Sequence, residues 1–148
     1  MKQSEIQRLL EAYPYIPEEL EKKKEELRQA ISDHQEIINT LKAVLITGMP
    51  HGSGTSDKTY EAAQAAVDIY CLRIAGIGKE INDLHDMLNK AEKLLALLSP
   101  VERKIIDARI FHIRPKPWPV IAKELHFSRE HCIRLFEKAI QKMSQKIT

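Results

Sequence analysis

Apolar side chains recur along this chain at alternating steps of four and three residues, first in one stretch and then in a longer one. The first series is Leu27, Ile31, His34, Ile38, Leu41 and Leu45. The second is Ala63, Val67, Tyr70, Ile74, Ile77, Ile81, Leu84, Leu88, Ala91, Leu95 and Leu98, with no break in the alternation. That spacing keeps one side of an α-helix apolar and is the seam of a coiled coil or helical hairpin. Charged residues such as Glu21 to Glu26, Lys79, Glu80, Lys90 and Glu92 occupy the other faces.

Between the two series, Thr47 to Ser56 gathers three Gly, one Pro and several hydroxyl residues, which reads as a loop. It lacks the terminal Gly-Lys-Ser/Thr and the preceding strand of a phosphate-binding loop. Asp57 is the expected cap of the helix that follows. Two helices joined this way are expected to fold back antiparallel, each burying its seam on the other. The arms are unequal: Pro17–Leu45 spans about 43 Å and Asp57–Leu98 about 63 Å at about 1.5 Å per residue. The seam from about Ile81 onward therefore needs another cover. The candidates are a short N-terminal helix (Ser4 to Tyr13, with Ile6, Leu9 and Leu10), the C-terminal domain, or a second copy of the chain. Gly76 and Gly78 stand mid-helix, where each costs about 1 kcal/mol relative to Ala; they suit either a close helix approach or a bend. His34 reads as a polar seam residue that fixes register, not as a metal ligand or pH switch.

A different pattern begins at Leu98. Ser99 is a good N-cap, Pro100 fits the first helical position, and Glu102 completes a capping box. The helix so opened carries Val101, Ile105, Ile106, Ala108 and Arg109, and is expected to run to Phe111 or His112. The Pro-rich run Arg114 to Pro119 breaks it. A short helix, Pro119 to Leu125, follows with Val120, Ile121, Ala122 and Leu125 as its apolar set. His126 and Phe127 form a turn, and Ser128 caps a third helix with Cys132, Leu135, Ala139 and Met143 facing inward. This order meets the needs of a helix-turn-helix: a small residue (Ala122) at the crossing, an apolar plug (Phe127) in the turn, and a capped second helix. Outward candidates on that helix are Arg129, Glu130, His131, Ile133, Arg134, Lys138 and Lys142. Arg can bond guanine through two donors, Glu can accept from cytosine, and Ile can touch a thymine methyl. The later lysines suit phosphates.

Composition narrows the class. Five Gly in 148 residues and 5% aromatics argue against a sandwich or barrel and for an all-α chain. Cys71 and Cys132 lie far apart inside helical patterns, so a disulfide framework is not expected. No signal-peptide run or membrane-length apolar stretch is present, which suggests a cytoplasmic location. The formal net charge is only +2, but it is unevenly spread. Residues 1–56 hold 7 Lys/Arg against 9 Asp/Glu, residues 57–98 hold 5 against 7, and residues 99–148 hold 11 against 5. A basic terminal segment on an acidic body points to a polyanion reached through that segment. Trp118 reads as packing and Cys132 as a buried small apolar residue. His112, His126 and His131 lack zinc-site spacing. No catalytic constellation, cofactor or metal is expected.

The stretch Leu98-Ser-Pro-Val-Glu-Arg, then Trp118-Pro-Val-Ile-Ala-Lys-Glu-Leu-His-Phe-Ser-Arg-Glu, then Ala139, resembles region 4 of sigma-70-type factors. The whole chain is similar to phage- and prophage-encoded regulators of the RinA/ArpU kind, with Met49-Pro-His-Gly-Ser-Gly54 at their characteristic loop. The resemblance implies a module 1–98 for hairpin formation and oligomerisation, and a DNA-binding helix-turn-helix at 99–148. It implies a non-enzymatic transcription regulator that reads the major groove of double-stranded DNA with helix 128–146. The contacting residues would be Arg129, Glu130, His131, Ile133 and Arg134, with Ser128 as a cap that also meets a phosphate. RNA polymerase and a second copy of the chain are the implied protein partners. Two alternatives share these features: a phage DNA-packaging recognition subunit, and a sigma-like polymerase-binding protein. Two departures stand out. His126 occupies a turn position where the family usually has Gly, and Pro117 and Pro119 flank Trp118 where polar residues are commoner. Nothing resembles the sigma regions that bind the −10 element.

Overall fold

The residues that set these periodicities are mostly good helix formers, and the protein is all-helical. The computed structural model describes residues 2–46 and 55–146, with no strand among them. Among these residues six α-helices follow in order: α1 (Gln3–Ala12), α2 (Ile16–Ile46), α3 (Thr55–Leu95), α4 (Pro100–Ile106), α5 (Trp118–Leu125) and α6 (Arg129–Gln145). A 3-10 turn, Tyr13–Tyr15, links α1 to α2, and a π-helical turn, Asp107–Phe111, extends α4. The Gly-rich loop expected at 47–56 falls, over 47–54, outside the described residues. Helix α3 begins at Thr55, two residues before the expected cap position Asp57. At its other end α3 stops at Leu95, three residues short of the expected Leu98, which leaves Ser99 free to start α4.

The chain forms two compact units, Glu18–Leu84 and Met1–Pro17 with His85–Thr148. In the first, Leu20, Ala30 and Ile77 are buried. Among the described residues two polar contacts join α2 to α3: Lys23 Nζ to Glu80 Oε2 at 2.7 Å, and Cys71 Sγ to His34 Nε2 at 3.4 Å. The hydrogen bond to Glu80 raises the Lys23 pKa above its ordinary value. His34 thus sits on the seam as a polar contact residue. Seam positions of α3 from Ala63 to Leu84 are all buried or partly buried. On α2 one position differs. Ile31 is 48% exposed and its neighbour Ala30 is buried. Successive helical residues are about 100° apart, so only one of the two can face α3. Ala30 continues the alternating steps that run Leu20, Lys23, Leu27, Ala30 and His34.

The second unit is built around the inner face of α6. Ala139, Ile140 and Met143 pack with Ile6, Leu9 and Leu10 of α1, Ala91, Leu94 and Leu95 of α3, and Ile106 of α4. The apolar end of α3 is therefore covered by α1 and by the C-terminal helices together. A second cluster joins Ile105, Ile121, Ala122 and Cys132, with Trp118 and Leu125 at its edge. Rings close the margins: Tyr13 lies 5.3 Å from Phe111, and Trp118 meets Phe136 edge-on at 5.4 Å. Burial pushes the Cys132 thiol above its ordinary pKa, which keeps it neutral in the core. Leu10 is fully buried where these stretches meet. Leu10→Ala should cost about 2–5 kcal/mol of unfolding free energy in a urea titration, a loss far above that of an exposed-site substitution.

Candidate nucleic-acid interface

The cap expected at Ser99 forms. Ser99 Oγ accepts from the Glu102 N–H at 3.3 Å, and the Glu102 carboxylate accepts from the Ser99 N–H at 3.4 Å. Glu102 has a second partner that local sequence could not reveal. Its two oxygens accept from Lys142 Nζ, each at 3.2 Å, across forty residues of chain. The carboxylate side chain is 6% exposed, so the pair ties the start of α4 to the last turns of α6 in a largely dry place. Lys142 therefore lies on the flank of α6 with its ammonium turned to Glu102.

Beyond α4 the π turn redirects the chain. Arg103 bonds Asp107 at 3.0 Å, Arg109 stacks its guanidinium 4.9 Å over Trp118, and Arg109 donates to the Lys116 carbonyl at 3.0 Å. Lys116 also pairs with Glu124 of α5 at 3.0 Å. Trp118 is thus fixed by packing between Arg109 and Phe136, as its sequence context suggested. The turn from α5 to α6 is tight. The Ala122 carbonyl accepts from the N–H groups of both His126 and Phe127, and His126 adopts the left-handed conformation with φ 59°. Ala122 is buried against α6, as a close crossing needs. Phe127 does not plug the turn. It is 39% exposed and meets the edge of the His131 ring at 5.0 Å, while Leu125 supplies the apolar contact to the core beneath. With αL backbone at 126, the side chain of residue 127 is carried outward.

Ser128 Oγ accepts from the His131 N–H at 3.2 Å, so α6 starts where its cap residue dictates. Cys132, Ala139, Ile140 and Met143 are buried, and Leu135 partly so. Opposite them, Glu130, Arg134 and Lys138 are exposed on one face, and Arg129 is exposed at its N-terminal edge. His131 and Ile133 are partly buried on the two flanks. Glu137 and Gln141 share the outward face and had not been singled out; counting five and nine residues from Cys132 places them there. Of the basic residues in 99–148, Arg103, Lys116 and Lys142 are held in ion pairs. Among the described residues Lys104, Arg114, Lys123, Arg129, Arg134 and Lys138 carry no such pair, and all are exposed. Comparison with protein-family models, curated proteins and solved structures found no match.

Two substitutions test this geometry. Lys142→Ala strands the Glu102 carboxylate in its dry site and should cost about 1–3 kcal/mol in chemical denaturation, whereas Lys138→Ala should change stability by less than about 0.5 kcal/mol. Replacing His126 removes a left-handed L-residue. Relief of that strain, about 1–2 kcal/mol, outweighs the extra unfolded-state freedom of Gly, so His126→Gly should raise the urea midpoint.

Proposed function

We propose that the protein is a sequence-specific double-stranded DNA-binding regulator of transcription, with α5 and α6 acting as a helix-turn-helix and α6 entering the major groove. The observation that carries the reading is the first two turns of α6. Its cap is satisfied, its inner face is anchored in the core, and Arg129, Glu130 and Arg134 project into solvent. A helix held this rigidly can present side chains to base edges with little ordering cost. Arg129 and Arg134 suit guanine and Glu130 suits cytosine. Lys138, Lys123 and Arg114 suit the phosphates on either side, which position the helix without reading sequence. The resemblance of residues 98–139 to sigma region 4, carried by these same residues, points to the same assignment.

On this reading α2 and α3 form the arms of an antiparallel hairpin that brings two copies together, the contacts Lys23–Glu80 and His34–Cys71 running in opposite chain directions. A dimer would favour two half-sites spaced by one helical turn of DNA or a multiple.

A titration of the full chain with promoter-sized duplexes at several salt concentrations tests the proposal. With about five phosphates neutralised, log K should fall with log salt at a slope near −4.5. Arg134→Ala should weaken binding to the preferred site by about 1–3 kcal/mol and blunt discrimination against scrambled DNA. Equal affinity for preferred and scrambled duplexes at every salt concentration would refute sequence reading.

A further inference from the structure

Helix α3 carries a second apolar stripe that the fold leaves unused. Ala62, Ala65, Ile69, Leu72 and Gly76 step by three and four residues, and all five are exposed. Ile69 is 65% exposed and Leu72 75%, and nothing lies within 4 Å of a Cβ built on Gly76. At about 100° per residue, the stripe lies about 140° round the helix from the seam that faces α2. The helix that covers one cannot cover the other.

The stripe has the grammar of a short two-stranded coiled coil. Ala62, Ile69 and Gly76 take the a positions, and Ala65 and Leu72 the d positions. In parallel coiled coils, Ile at a with Leu at d favours two strands over three or four. Asp68 then falls at g and Arg73 at the e position five residues later. In a parallel pair, g of one helix meets that e of the other, so opposite charges face each other twice about the two-fold axis. In an antiparallel pair g meets g and e meets e, and Asp68 and Arg73 never meet. Among the described residues Arg73 has no ion pair, and Asp68 accepts a long 3.4 Å bond from Gln64 of its own helix.

We propose that this stripe pairs α3 with α3 of a second copy of the chain, parallel and in register, with Asp68 facing the partner's Arg73. This gives the dimer named under the preceding heading an interface, an orientation and a charge pair. Ile69 and Leu72 are the large side chains of the stripe, so pairing is concentration-dependent, and adjacent DNA half-sites would reinforce it.

Sedimentation equilibrium of the full chain without DNA tests the interface. The mass should rise with concentration from 17.0 kDa towards twice that value. Ile69→Glu with Leu72→Glu should hold it at one chain, with the helical circular-dichroism signal unchanged because both side chains are exposed. Asp68→Arg or Arg73→Asp alone should weaken pairing about tenfold, and the two together should restore it. Leu72→Cys in a Cys71→Ser background should form a disulfide-linked dimer on mild oxidation, since equivalent d positions adjoin only in a parallel pair. A single-chain mass at every concentration, or a dimer that survives the Glu substitutions, would overturn the proposal. A dimer indifferent to the charge swap and unlinked by the Leu72→Cys variant would overturn its orientation. All these readouts are taken without DNA, so failure of specific DNA binding would be seen separately and would leave them standing.

Discussion

The inner face of α6 has to leave water along most of its length, and no single neighbour is long enough to cover it. Its second half is covered by α1, the end of α3 and Ile106; its first half by Ile105, Ile121 and Ala122. Four separated stretches of chain are thereby committed to one site, and each apolar side chain removed from water there contributes about 1.5–3 kcal/mol. The Glu102–Lys142 pair adds a directional tie at the end where α4 begins. Burying a carboxylate is unfavourable unless it is paired and hydrogen-bonded, and here the cap N–H and the ammonium both serve. The outward face of α6 owes its fixed geometry to this cover, because its own charged side chains do nothing to hold it.

Charge along the sequence overstated what the surface offers. Three of the basic residues in the last third are consumed by Asp107, Glu124 and Glu102 within the unit. Those without an ion pair among the described residues lie within α4, between α4 and α5, within α5, on α6 and, at Lys146, just beyond it. Ion pairing inside the unit therefore refines a diffuse excess of charge into a smaller set of free cations. The outward face of α6 alternates Arg and Lys with Glu130 and Glu137, a pattern better suited to selective contacts than to uniform attraction.

Features governed by neighbouring residues were legible in the chain. The caps at Ser99 and Ser128 and the break before Trp118 follow from local chemistry, and the left-handed backbone at His126 was signalled by the turn position where the resembling family usually has Gly. The α3 seam was legible as well, because its period repeats often enough to fix its face. What escaped depends on distant partners or on a choice between near-equals. Ile31 is the better hydrophobe, yet Ala30 takes the buried position, because the face set by Leu20, Leu27 and His34 runs through residue 30. Lys142 looked like any other late lysine until a carboxylate forty residues away was brought beside it. Phe127 is apolar and sits in the turn, but the backbone at His126 decides where it points.

The π turn at Asp107–Phe111 holds one residue more per turn than the α-helix it continues. Within it, Arg109 finds Trp118 and Phe111 finds Tyr13 at the same time. Loss of a single residue from this segment would relax it to an ordinary helix and turn everything beyond by about 100°. One ring contact could survive such a change but not both. Length in this short stretch is consequently constrained more tightly than residue identity, and relatives should vary in side chain here sooner than in spacing.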